Sequence, residues 1–148
     1  MKKFFILTLL TFALSACKTY NEKDLQQFDV KIQHYLKKHH LEMERTNSGL
    51  YYHIEKEGEG EFIKFTDVVS FKYKGRLLDG TVFDEASKPV TFEIKQLIGA
   101  WKEMMLYLKP GGKAQLIAPP QLGYGDRDLD DIPPHSILIF DIEVVEVK

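Results

Sequence analysis

Apolar positions change their period along this chain, and each change predicts an element. From Asn21 to about Arg45, Leu25, Phe28, Ile32, Leu36 and Met43 stand among charged and amide residues. Their spacing is close to one helical stripe, with neither Gly nor Pro between them, which predicts a single amphipathic helix. Gln26-Gln27, Lys37-Lys38 and His39-His40 supply its solvated face, and Thr46-Asn47-Ser48-Gly49 ends it, because Asn and Gly tolerate the left-handed backbone of a helix stop. The helix is either a stalk or dimerisation element, or an element lying on its own domain. The period then becomes two. Leu50, Tyr52 and Ile54 alternate with Tyr51, His53 and Glu55 as a first strand, and Gly58-Glu59-Gly60 follows as a flexible turn. Val69, Phe71 and Tyr73 alternate with Ser70, Lys72 and Lys74 in a second strand, so Tyr73 should face the same interior as Val69 and Phe71.

Asp79-Gly80 lies between Leu77-Leu78 and Thr81-Val82-Phe83, the dipeptide that best supplies the positive φ angles of a tight hairpin turn. Val90, Phe92 and Ile94 alternate as a further strand. Leu97, Ile98, Trp101, Met104, Met105 and Leu108 then recur at i, i+1, i+4, i+7, i+8 and i+11, the buried face of a helix, which Lys109-Pro110-Gly111-Gly112 stops. A short strand over 113–118 leads into a long loop from Pro119 to His135, of the kind that is functional or disordered. The last strand, 136–147, carries Leu138, Phe140, Ile142 and Val144 on one face and Ile137, Ile139, Val145 and Val147 on the other, which places it mid-sheet. Strands, one helix and more strands, joined by tight turns, define an α+β domain whose antiparallel sheet packs on a single helix.

The first residues read differently. Lys2 and Lys3 form a positive n-region and Phe4 to Ala13 an apolar run, ending in Leu14-Ser15-Ala16-Cys17. The run falls well short of the ~20 residues of a permanent span. Residues 1–16 are therefore expected to be a removable signal peptide. Leu-Ser-Ala-Cys resembles the bacterial lipobox, whose cysteine receives a diacylglyceryl group and becomes the N-terminus. An ordinary signal peptide would leave Cys17, the chain's only cysteine, as an odd thiol, whereas lipidation gives it a purpose. The expected organisation is a signal peptide at 1–16, a lipidated N-terminus, helical stalk and linker at 17–47, and one domain at 48–148. The chain's 148 residues, 44% of them hydrophobic, suffice for that domain and one core. A formal net charge of −2 carries no basic excess, which sets nucleic acid aside as a partner.

Bond-breaking equipment is missing from the sequence: there is no cysteine in the domain, no Gly-x-Ser-x-Gly elbow, no P-loop and no Rossmann glycine pattern. His34, His39 and His40 have no i, i+4 pair and no carboxylate or cysteine to complete a metal set. Asp126, Asp128, Asp130 and Asp131 lack the Gly and Glu of a calcium loop at the sixth and twelfth positions, where Asp131 and Ile137 stand. Both clusters read as solvated surface. Aromatic residues at element ends and on inward faces, Tyr73, Phe83, Phe92, Trp101, Tyr124 and Phe140, are taken singly as core packing.

Five segments give them an arrangement: 68–75 (VVSFKYKG), 78–84 (LDGTVFD), 96–101 (QLIGAW), 122–125 (LGYG) and 132–143 (IPPHSILIFDIE). Together and in this order, from about Ser48 to Lys148, they resemble the FKBP family of peptidyl-prolyl cis/trans isomerases. The resemblance implies an FKBP-like half-barrel of antiparallel strands wrapped round one helix, with the substrate proline held in the hollow between them. By motif position, Tyr73, Phe83, Asp84, Trp101, Tyr124 and Phe140 would be catalytic, with Trp101 as floor, and Phe92, Leu97 and Ile98 would bind substrate. The Ile98 N–H and the Tyr124 hydroxyl would bond substrate or macrolide carbonyls. No cofactor or metal is expected.

The chain departs from the family in places. Glu85-Ala86-Ser87-Lys88 lacks the arginine that pairs with the aspartate in many relatives, leaving Lys88 as an imperfect substitute. Val90 stands where phenylalanine is common, and Asp128 to Asp131 where glycine and histidine are common. These changes bear on macrolide affinity and substrate preference more than on activity. The expected partners are proline-containing unfolded or partly folded polypeptides, macrolide ligands, a membrane reached through the Cys17 lipid, and a second copy through the N-terminal helix. The expected location is the cell envelope, on the periplasmic side of the outer membrane, with a non-catalytic protein-binding module as the competing reading.

Overall fold

The computed structural model describes residues 20–148; the expected signal peptide and Cys17 lie outside the described residues. Helix α1 (Glu22–His39) opens with a capping box: the Asn21 side chain accepts the Asp24 N–H at 3.0 Å, and the Asp24 carboxylate accepts the Asn21 N–H at 3.2 Å. It ends earlier than Thr46–Gly49. His40 takes the left-handed conformation at φ 54, and the Leu41 N–H reaches back to the Leu36 carbonyl at 3.0 Å. Glu44 and Arg45 then form a two-residue strand, β1 (Glu44–Arg45), against β2 (Tyr51–Lys56), the turn between them closed by Gly49 at φ 93. Replacing Asn21 by alanine is expected to cost about 1 kcal/mol in a thermal or denaturant melt, the usual loss for an N-cap.

The remaining strands are β3 (Val68–Leu77), β4 (Val82–Glu93), β5 (Lys113–Ala118) and β6 (Leu138–Val147), with α2 (Gly99–Met105) between β4 and β5. All pair antiparallel in the order β1-β2-β5-β6-β3-β4, so β6 is an inner strand, as its two apolar faces require. Period two along β5 and β6 sends alternate residues to opposite faces. Leu116, Leu138, Phe140 and Ile142 pack with Trp101, Met104 and Met105 of α2, whereas Ile117 and Ile139 pack with Phe28 and Ile32 of α1. One core was the expectation from chain length, and there are two clusters, one on each face of the sheet. Of the two readings of the N-terminal helix, the structure has the one in which it lies on its own domain. Phe28 and Ile32 of its stripe are buried, and Asp29 takes an Arg45 ion pair at 2.7 Å and the Tyr51 hydroxyl at 2.8 Å.

Local detail departs from the simple patterns in four places. In the β3–β4 turn only Gly80 has positive φ (+91), and the Leu77 N–H bonds the Thr81 carbonyl at 2.9 Å. This is a three-residue loop with glycine at its left-handed position, rather than a primed two-residue turn. The segments on either side of Pro89 form one edge strand, because Ser87-Lys88-Pro89 bulge out between the pairs Tyr73–Ala86 and Phe71–Val90, where proline costs no ladder bond. In β6 the register slips at Val145, which returns Val147 to the side of Val144. Helix α2 is shorter than the apolar repeat: Ile98 is its N-cap, while Leu97 and Leu108 are buried outside its ends.

The loop 119–135 is folded on itself. It contains a 3-10 turn (Pro120–Leu122), a reciprocal bridge between Leu129 and Ile132, and a 2.8 Å bond from the His135 N–H to the Gly125 carbonyl.

Candidate active site

Trp101 is delivered by the first turn of α2 to the middle of the sheet's concave face. It is only 9% exposed, and three rings surround it at steep angles: Phe71 at 5.2 Å and 87°, Tyr73 at 4.8 Å and 61°, and Phe140 at 5.0 Å and 76° between centroids. Edge-to-face contacts of this kind fix ring orientation beyond what area burial alone would do. Phe83 of β4 stands edge-on to Phe140 at 5.6 Å and 90°. The approach is possible because residue 75 is glycine: a Cβ there would come within 2.5 Å of Phe83 Cζ and 3.0 Å of Phe140 Cε1. The indole N–H of Trp101 is buried without an acceptor among the described residues.

At the rim, the Tyr73 hydroxyl donates to Asp84 Oδ2 at 2.5 Å. Burial raises the Tyr73 pKa, and the bond to Asp84 raises it further; Tyr124 is also raised, by burial and then by the negative charge of Asp84. Both phenols therefore stay protonated as donors. Asp84 has no cation within ion-pair distance among the described residues, so Lys88 does not take the place of the missing arginine; it lies exposed in the β4 bulge.

Phe83, Asp84 and Tyr124 line a hollow of about 230 Å³ together with Leu129, Ile132 and the carboxylate-bearing Asp130 and Asp131 of the loop. Tyr124 also borders a larger groove with Leu97 and Ile98, so the hollow and the groove share this residue. Neither the Ile98 N–H nor the Tyr124 hydroxyl has a protein partner among the described residues.

The structure thus brings Tyr73, Phe83, Asp84, Trp101, Tyr124 and Phe140 into one constellation, with Leu97 and Ile98 at its side. Phe140 is fully buried and supports the hollow from behind, whereas Phe92 is 44% exposed on the edge strand, its ring centroid 6.3 Å from that of Phe71. Sequence reasoning missed Phe71, Gly75 and Ile132 as members. Phe71 shares the alternation of Tyr73, and a lone glycine within a strand is a recognised sign of close approach.

The site is an aromatic-walled cleft on an antiparallel half-barrel, with carboxylates at its rim. The chain belongs to the FKBP-type peptidyl-prolyl cis-trans isomerase family, whose model matches residues 59–145. It is 48% identical over 108 residues to the FKBP-type peptidyl-prolyl cis-trans isomerase FkpA of Buchnera aphidicola (from Schizaphis graminum), covering 70% of this chain and 43% of that protein. It is 36% identical over 139 residues to FkpA of Escherichia coli K12, covering 90% and 52%. The crystal structure of E. coli FkpA superposes with a TM-score of 0.74 at 37% identity, covering 86% of this chain and 62% of that one. The crystal structure of AtFKBP13 superposes with 0.66 at 33%, covering 71% and 98%. The chain spans about half the length of the FkpA proteins it matches.

Proposed function

We propose that this protein is a peptidyl-prolyl cis/trans isomerase that rotates X-Pro bonds of unfolded or partly folded polypeptides in the hollow over Trp101. The observation that carries the reading is the indole held edge-on by Phe71, Tyr73 and Phe140 beside a rim where Asp84 accepts from the Tyr73 hydroxyl and the hydroxyls of Tyr73 and Tyr124 stay protonated.

An X-Pro bond prefers trans by only about 0.5–1 kcal/mol, yet rotation crosses roughly 18–20 kcal/mol because the twisted amide loses its resonance. The planar amide is polarised and well solvated by water, and the twisted form carries less charge separation. Trp101, Phe83 and Tyr73 offer an apolar surface that excludes water, which favours the twisted form over the planar one. A twisted prolyl nitrogen becomes pyramidal, and the carbonyls flanking it can accept from the Ile98 N–H and the Tyr124 hydroxyl. About 5–8 kcal/mol of such differential stabilisation gives a rate gain of roughly 10^4 to 10^6. No bond breaks and no proton need transfer.

An assay with a short X-Pro peptide and a protein whose refolding waits on proline tests the proposal. Acceleration of both is expected, since the uncatalysed step takes tens of seconds. Asp84→Ala and Tyr124→Phe should each lower kcat/KM by about fivefold, the worth of one ordinary hydrogen bond. A well-folded chain that accelerates neither substrate would leave the binding-module reading in place. The sign of the pH dependence follows from the phenols. Burial disfavours phenolate, so ionisation lies above the usual tyrosine range, and kcat/KM is expected to stay level from about pH 7 to about pH 9. A fall within that window would mean that a different group governs the rate.

The envelope setting belongs to the same proposal: residues 1–16 direct export and Cys17 carries the lipid that holds the domain at the outer membrane, facing the periplasm. Incorporation of labelled fatty acid that is lost in Cys17→Ala tests it. Macrolides would meet the same hollow, with Asp84 unpaired by any arginine.

A further inference from the structure

We infer that the groove running from the catalytic hollow to the start of α1 is an extended subsite for the polypeptide on one side of the proline, with Leu25 and Tyr20 as its specificity-determining residues. The inference rests on the isomerase reading of the hollow and deepens it.

The groove adjoins the site, with Tyr124 lining both. Leu97, Ile98 and Tyr124 line the groove together with Tyr20 and Leu25, around a space of about 600 Å³. That is within the range of sites that take a sizeable ligand, and well beyond the needs of one prolyl ring. The shared Tyr124 implies the occupant, because a substrate chain whose proline sits over Trp101 must leave past Ile98 or past the rim.

The groove also offers what an extended chain needs. The unpaired Ile98 N–H can take a main-chain carbonyl, the exposed amides of Gln96 and Gln121 stand along it, and Leu25 and Leu97 supply apolar contact for side chains. Asp126 and Arg127 also line it and present one charge of each sign.

The part of the groove that Tyr20 lines is built in place. The Tyr20 hydroxyl bonds His135 Nδ1 at 2.8 Å, and its ring stands edge-on to Phe28 at 5.1 Å and 86°. One residue later the Asn21 capping box fixes the start of α1. The N-terminal segment is therefore clamped to the loop that carries Tyr124, and the recognition surface includes residues outside the half-barrel. Such a subsite would separate long clients from short peptides, since a short peptide fills the hollow without reaching Leu25.

The test uses the full chain and three variants. Leu25→Glu puts a carboxylate into the groove near Asp126, yet stays on an exposed first-turn position that tolerates an acidic residue. Tyr20→Ala removes a lining ring, and Val30→Glu, 60% exposed on the same helix and outside the groove, is the control.

Two readouts are taken: the ratio of kcat/KM for a proline-limited refolding protein to that for an X-Pro tetrapeptide, and the Kd for a reduced, alkylated, proline-containing polypeptide. The expected result is a ratio lowered and a Kd raised by roughly fivefold or more in Leu25→Glu and Tyr20→Ala, with Val30→Glu unchanged. Ratio and Kd within about twofold of the parent in both groove variants would overturn the inference, as would an equal effect from Val30→Glu. Should the parent chain fail on the tetrapeptide, the isomerase reading falls, and the Kd series still decides the groove.

Discussion

Phe140→Ala is expected to lower the free energy of unfolding by about 3–5 kcal/mol, the usual cost of emptying a fully buried phenylalanine site. Phe140 is 1% exposed on the inner strand β6, and its ring supports both Trp101 and Phe83. Trp101 cannot move to fill the space easily, because two further rings hold it. Denaturant melts read the loss, with the slope unchanged if the fold is kept. Such a cost is a large part of the roughly 5–15 kcal/mol that a domain possesses. Phe140→Leu, which keeps most of the volume, should lose only about 1 kcal/mol. Similar losses from leucine and alanine would show that the ring itself, rather than filled space, holds the hollow together.

Gly75→Ala is expected to reduce kcat/KM by about 30-fold while costing about 1–3 kcal/mol in stability. The new methyl would overlap Phe83 Cζ and Cε2 at 2.5 and 2.6 Å, well inside contact distance. Relief comes most easily by swinging Phe83, which is half-buried, whereas Phe140 behind it is locked. Phe83 would then turn into the space it normally borders, where the prolyl ring is proposed to lie. The double change Gly75→Ala with Phe83→Leu, which shortens the obstructing side chain, should recover part of the rate. A Gly75→Ala protein with unaltered kcat/KM would place the substrate elsewhere than beside Phe83.

Much of this architecture is legible in the residues themselves because alternation and helical stripes are local. Tyr73 lies on the side of Val69 and Phe71 as period two demands, and β6 is an inner strand as its double-sided apolar pattern demands. The site residues were reachable from the order of short motifs, each of which ends a strand or opens a helix. What misled the reading were positions at which one long-range contact outweighs a local pattern. The stripe of α1 predicts a helix to Arg45, yet Arg45 pairs with Tyr51 in β1 and Asp29 across it, and the helix stops at His39. Val90 and Phe83 read as parts of two strands, because a bulge that absorbs Ser87-Lys88-Pro89 leaves no periodic trace.

By itself, the sequence determined the class of fold, the helices and strands, and the identity of the aromatic residues, since each depends on neighbours a few positions away. Only the tertiary structure decided the strand order β1-β2-β5-β6-β3-β4, the docking of α1 on the back of the sheet, the space that Gly75 leaves for Phe83, and the clamp between Tyr20 and His135. Residues 20 and 135 meet because two faces of one sheet must both be covered, a requirement of packing that no local period records.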